Sequence, residues 1–198
     1  MFPSHDRGGG SKWNNDTYTQ SIVNIPQGYI DGERVGTQVI VKEIDIRATM
    51  GYDSTYNQDY GSQLFRVIVW QDKQCNGAAP TAPDIMRQVP SAPTQPDVSS
   101  AFNIHNENRF CILADKTYTF NCKASLVQTA FGPNPALAGV SKNMHIKICD
   151  LDIPINYSGT TGALSEIRSN NIGILYLFQY YDNGVHLYGY TDVVYCDY

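Results

Sequence analysis

Gln63-Leu-Phe-Arg-Val-Ile-Val-Trp-Gln-Asp-Lys-Gln-Cys-Asn-Gly-Ala-Ala-Pro-Thr-Ala-Pro-Asp84 runs from a strand straight into a loop. Phe65, Val67 and Val69 alternate as an apolar face, while Arg66 and Asp72 mark the other face as partly polar. Turn chemistry follows. Asn76-Gly77, Pro80 and Pro83 are residues that neither a helix nor a strand interior tolerates. A core strand therefore ends in a long irregular connection, and strand character resumes only at Arg109-Phe-Cys-Ile-Leu113.

Outward from this stretch the same pattern repeats. Residues 37–50 alternate, with Ile40, Ile44, Ile46, Ala48 and Met50 expected inside and Glu43, Asp45, Arg47 and Thr49 outside, as in an antiparallel sheet with one covered face. Residues 17–25, 109–113, 116–122 and 185–196 read as further strands, with a hairpin expected through Ala114-Asp115. In 143–153 the apolar phase moves from Met144, Ile146 and Ile148 to Leu151 and Ile153. A one-residue phase change is the mark of a bulge near Cys149–Leu151. The near-continuous apolar run 172–181 reads as a central strand buried on both faces, and Asp182-Asn183-Gly184 as a tight turn. With 63–72, these make eight strands. No stretch holds apolar residues at helical spacing for three turns, although a short helix fits near residues 84–88. The expectation is an all-β fold: an eight-stranded antiparallel single jelly roll of two four-stranded sheets with long connecting loops. Residues 1–16 read as an N-terminal arm and 17–198 as the jelly-roll domain. Region 73–108 carries five prolines and no periodicity, and so long a loop is expected to be functional, as a binding loop or a contact with a neighbour.

Composition narrows the function. The chain has 198 residues, 42% of them apolar, 14 tyrosines and a net charge of −5. That charge argues against a wholly basic nucleic-acid-binding surface. No run of 18 apolar residues occurs, and the first residues lack the apolar segment of a signal peptide. Five cysteines (Cys75, Cys111, Cys122, Cys149 and Cys196) form no Cys-x-x-Cys pair. They read as free, mostly buried thiols rather than zinc ligands or a redox motif.

Enzyme signatures are weak. A metal-dependent jelly-roll enzyme clusters its histidines, whereas His5, His105, His145 and His186 are scattered. His145 lies opposite the apolar face of its strand, as a surface or interface residue would. Ser158 is not in a Gly-x-Ser-x-Gly elbow, and no phosphate-binding glycine motif occurs. Asp150-x-Asp152 could share a calcium ion, but two solvated carboxylates flanking Leu151 is the plainer reading. The expectation is a protein that is not an enzyme and that carries no cofactor or metal.

The stretch from Arg66 through Asp72-Lys-Gln and Asn76-Gly77 to Pro80 and Asp84-Ile resembles the central motif of capsid proteins from small circular Rep-encoding single-stranded DNA viruses, the circovirus- and geminivirus-like coats with a satellite-virus-type jelly roll. Three further stretches resemble that family in the same order. They are Gly32-Glu-Arg-Val-Gly-Thr-Gln-Val-Ile-Val-Lys-Glu-Ile-Asp-Ile-Arg47, Asn108-Arg-Phe-Cys-Ile-Leu-Ala-Asp-Lys116 and Gly189-Tyr-Thr-Asp-Val-Val-Tyr195.

The resemblance implies a coat subunit that self-assembles into a T=1 icosahedral shell of about sixty copies around circular single-stranded DNA. The subunit would be found in the virion, and in the host nucleus during assembly. It implies that the loops at 26–36, 73–108, 124–142 and 182–184 gather at one end of the roll, and those at 51–62 and 154–171 at the other. Such coats begin with an arginine-rich arm, whereas residues 1–16 hold only Arg7 and Lys12, so an arm lost from this sequence is expected. If folded residues touch DNA, the candidates are Lys12, Trp13, Arg34, Lys42 and Arg47: cations for phosphate and one indole for a base. Ordinary surface or intersubunit salt bridges are the competing account of the cations. The alternative function is a non-catalytic jelly-roll binding module, such as a carbohydrate-binding domain with tyrosine platforms. Shortening residues 85–104 is expected to spare the fold and abolish assembly.

Overall fold

The computed structural model describes residues 4–8, 18–52, 61–88, 96–122, 142–179 and 185–197. Among them are ten strands: β1 (Ser4–Gly8), β2 (Tyr18–Ser21), β3 (Gln38–Tyr52), β4 (Gly61–Asp72), β5 (Phe110–Cys122), β6 (Lys142–Ile148), β7 (Ile153–Tyr157), β8 (Ile167–Ser169), β9 (Asn171–Phe178) and β10 (Val185–Asp197). One sheet has six strands in the order β1-β10-β3-β7-β8, with β6 also paired to β3, and the other has four in the order β2-β9-β4-β5. Every pairing is antiparallel. Counting β6 and β7 as one interrupted strand and setting aside the short β8 leaves eight strands divided four and four. Consecutive strands switch sheets except at the β4–β5 pair. That is the jelly-roll order, so the expected fold class holds.

The count of eight nevertheless came from two compensating misreadings. No hairpin interrupts 109–122. β5 runs straight through Ala114-Asp115, and its register against β4 slips by one residue at Leu113. Charged Asp115 and Lys116 imitate a turn, but Asp115 is held by Arg66 Nε of the neighbouring strand at 2.7 Å. Conversely, the segment 1–16, read as an arm, contributes β1, paired with β10 at the sheet edge. Residues as polar as Ser-His-Asp-Arg carry no alternation to announce a strand. The turn at 182–184 lies outside the described residues.

The phase change expected near Cys149–Leu151 is a full break between β6 and β7, with Asp150 and Asp152 both in the left-handed region (φ 57° and 49°). It faces a second irregularity that periodicity did not reveal. β3 carries an extra residue at Lys42 relative to β10, so Val39 and Val41 point into the core, as do Ile44 and Ile46, while Ile40 is only half-buried. The Leu151 amide donates to the Lys42 carbonyl at 3.2 Å, and Lys42 pairs with Asp152. The two phase changes therefore face and brace each other.

Between the sheets lies the main core, built from residues such as Val39, Ile44, Ile46, Met50, Phe65, Val67, Val69, Ile174, Tyr176 and Tyr195. Phe65 stacks on Tyr176, ring centroids 5.8 Å apart. β9 is buried from Asn171 through Leu177, as its apolar run requires of a strand covered on both faces.

What covers its second face is the long connection 73–108. Ile68 and Trp70 of β4 and Leu175 and Leu177 of β9 point away from the main core. They meet Ala82, Ile85 and Met86, with Phe110 alongside and Val98 and Phe102 packed around them. Gly173 permits this, because a Cβ there would run into the Trp70 ring. The covering segment contains a single helical turn, α1 (Ala82–Ile85), started by Thr81 and Asp84 as a capping box. It is tied to itself by Asn103 N to Ile85 O at 2.9 Å and Arg87 N to Ala101 O at 2.8 Å. Arg66 bonds the Val98 and Ser100 carbonyls at 3.1 and 2.7 Å. At its base, Arg109 forks onto the Asp72 carboxylate at 2.9 and 2.7 Å. The expectation that the fold survives a shortening of 85–104 is therefore corrected for the part that carries Ile85, Met86, Val98 and Phe102. Removing it would uncover four large apolar side chains, each worth about 1.5–3 kcal/mol of burial.

Candidate nucleic-acid interface

The opposite outer face, that of the six-stranded sheet, has no such cover among the described residues. Strand registers set out its side chains in rows. Arg47 of β3 lies between His145 of β6 and Tyr190 of β10, and Asp45 lies between Lys147 and Asp192. Thr49 lies beside Asn143, and its hydroxyl donates to the Asn143 carboxamide oxygen at 2.9 Å. Alternation on each strand presents these polar residues outward because their neighbours Ile44, Ile46, Ala48, Met144 and Ile146 fill the core.

Asp45 is the hub. It is only 7% exposed, and Arg47 grips both its oxygens, Nε at 3.2 Å and Nη2 at 2.8 Å. His145 Nε2 lies 2.9 Å from Oδ1. The Arg47 hydrogen bonds, outweighing the opposing effect of burial, hold the Asp45 carboxyl below the usual carboxylate range. Reciprocally, Asp45 raises the Arg47 guanidinium above its ordinary value, with help from Tyr190. Lys147 is matched by Glu43 at 2.8 Å, a bond that holds the Glu43 carboxyl low. Around Arg47, Thr49, Asn143, His145 and Tyr190 the sheet opens into a cleft of about 770 Å³. Tyr190 is 42% exposed and presents a ring on which a base can stack. The exposed part of Arg47 can meet a phosphate, and Asn143 offers an amide. Arg47 and Lys147 already have acids beside them, so the face attracts a polyanion only modestly and shows no means of reading sequence.

The candidate DNA-binding residues are thus dispersed. Lys12 and Trp13 lie outside the described residues. Arg34 is corrected: it is completely buried, with Nε donating to Ile25 O at 3.1 Å, Nη1 and Nη2 to the carbonyls of Gly36 and Gly159, and its guanidinium 4.2 Å from the centre of the Tyr157 ring. Such a guanidinium binds loops together and cannot reach a phosphate. Lys42 is partly exposed but engaged by Asp152, and that hydrogen bond raises its pKa. Only Arg47 stands in the cleft. His145, Tyr190 and Asn143 complete it, although no motif marks them. Their outward phase is legible, but their adjacency across β3 depends on long-range pairing.

Arg34 also settles which loops share an end. Gln27 N donates to Thr160 O at 2.8 Å, and Thr19 bonds the Pro80 carbonyl at 2.6 Å. Loops 22–37, 73–109 and 158–166 therefore meet at one end of the sandwich. This corrects the assignment of 154–171 to the end opposite 26–36. Contrary to the expectation that 124–142 and 182–184 gather with 26–36, the strand termini flanking 123–141 and 180–184 lie at the other end with those of 53–60, since Tyr52 pairs with Val185, Gly61 with Cys122 and Met50 with Lys142.

Cys75, Cys111, Cys149 and Cys196 are free thiols. Contrary to expectation, Cys111 and Cys149 are exposed, and the other two are half-buried. Asp150 and Asp152 form no metal cluster, and none of three or more His, Cys, Asp or Glu occurs among the described residues. No family model and no curated protein matches the chain.

Proposed function

We propose that the chain is a self-assembling structural subunit, a jelly-roll building block of a closed shell. More particularly, we read it as the capsid protein of a small circular single-stranded DNA virus, packaging its genome in a T=1 particle and performing no catalysis. The resemblance of Gln63–Asp84 to the central motif of such coats carries this reading. That stretch ends β4, forms the Asp72–Arg109 lock and begins the segment that covers the four-stranded sheet. A subunit of this kind needs a rigid roll with its long loops held in place, and the buried Arg34 and the second core supply that. On this reading the open face with Arg47 and Tyr190 meets packaged DNA through charge and stacking alone.

Negative-stain imaging of the purified full chain tests it: closed shells of uniform diameter are expected, with nuclease-protected single-stranded DNA inside. A monodisperse monomer by sizing and light scattering would overturn the reading and favour a jelly-roll binding module.

A further inference from the structure

Asn76-Gly77 belongs to the motif that decides the fold, yet neither core uses its side chains. From this turn we infer a site of spontaneous covalent modification: Asn76 deamidates through a succinimide, placing an aspartate or isoaspartate at the root of the covering segment. Three features converge. Asn76 is exposed. Its carboxamide oxygen accepts a hydrogen bond from the Ala78 amide at 3.1 Å, which bends the side chain over the intervening peptide and polarises its carbonyl carbon. The next residue is glycine in the left-handed region, φ 83°, so no side chain shields its nitrogen. The nearest non-neighbouring atom to a Cβ built on Gly77 is Ser165 Cα, 3.7 Å away, so loop 158–166 lies beside the turn without pressing on it.

The Gly77 amide nitrogen, after losing its proton to solvent base, attacks Asn76 Cγ. The new C–N bond closes the ring as the Cγ–Nδ2 bond breaks, and the departing nitrogen takes up a proton to leave as ammonia. Water then opens either carbonyl of the ring, giving aspartate or, with the main chain rerouted through the side chain, isoaspartate. Water is the only co-reactant, and no oxidation state changes. Asn103, Asn106, Asn156, Asn170 and Asn171 are followed by Ile, Glu, Tyr, Asn and Ile, side chains that hinder the same attack, whereas the second Asn-Gly pair, Asn183-Gly184, lies outside the described residues. The isoaspartyl product adds a backbone methylene between β4 and the segment over Trp70, and it adds a negative charge beside loop 158–166. The turn thus acts as a clock set at synthesis, independent of whether the chain forms a shell.

The test is a time course on the folded full chain at neutral and mildly alkaline pH. Peptides spanning 74–87 are analysed by mass spectrometry and by enzymatic methylation of isoaspartate, with a free peptide of the same sequence as reference. Conversion at Asn76 within a few-fold of the free peptide's rate, accelerating with pH, is expected, together with its loss in Asn76→Gln. An intact Asn76 in folded protein while the free peptide converts overturns the inference. That comparison needs no variant, so it stands even if Asn76→Gln folds poorly.

Discussion

The two sheets treat their outer faces in opposite ways. On the four-stranded sheet, Ile68, Trp70, Leu175 and Leu177 lie under the chain's own segment 80–110. On the six-stranded sheet, the same kind of surface carries Asp45, Arg47, Thr49, Asn143 and His145 and has no cover among the described residues. One face is committed to stability, and the other, among the described residues, meets no second layer. The contrast shows that a jelly roll can have two cores, and that the longest loop belongs to the fold before it belongs to any interface.

Substitutions on the two faces should therefore differ most. Trp70→Ala is expected to cost about 3–5 kcal/mol in urea unfolding, and a near-silent result would mean that the second core is not a core. Next comes Arg34→Met, which strands the carbonyls of Ile25, Gly36 and Gly159 and should cost about 3 kcal/mol by the same measurement. Asp72→Asn should follow at about 2 kcal/mol, less than for a fully buried pair because Arg109 is partly exposed. Limited proteolysis of that variant should show earlier cleavage within 85–104, since the lock at the base of the cover has been released.

On the open face the readout is pH rather than magnitude. The Asp45 carboxyl is depressed in the folded state, so the folded protein binds that proton less readily than the unfolded chain. Its stabilisation is present above the ordinary carboxylate range and is lost as pH falls through the lowered folded value. Asp45→Asn should flatten the acid limb of the stability profile and leave its shape above neutrality unchanged. An unaltered acid limb would show that the Arg47–Asp45–His145 row contributes nothing. Smallest of all, Thr49→Ala should change stability by no more than about 0.5 kcal/mol in the urea assay. A larger loss would mean that the open face is structurally committed after all.

Where alternation was clean, the sequence was legible: Ile44, Ile46, Ala48 and Met50 are inward and Asp45, Arg47 and Thr49 outward, as their spacing required. It failed at Ile40, because one extra residue at Lys42 reverses the phase and only the register against β10 reveals it. β1 was missed because its residues are polar, and a short edge strand is recruited by its partner's free hydrogen bonds rather than by burial. Segment 73–108 hid its role because irregular chain buries apolar residues without a period. Ile85, Met86 and Phe102 carry no signature beyond being apolar. Arg34 looked like a surface cation because sequence shows charge but not the carbonyls that converge on it.

The all-β class, the inward and outward faces of 44–50 and the double burial of β9 were written in residue spacing, since side-chain direction along a strand follows from local geometry. So was the Asn76-Gly77 turn, whose chemistry needs only neighbours in the chain. The second core, the burial of Arg34 and the His145–Arg47–Tyr190 row were decided by tertiary structure alone. Each depends on which distant segments pair or pack. That choice is made by the free energy of burying surfaces together, and local alternation does not encode it.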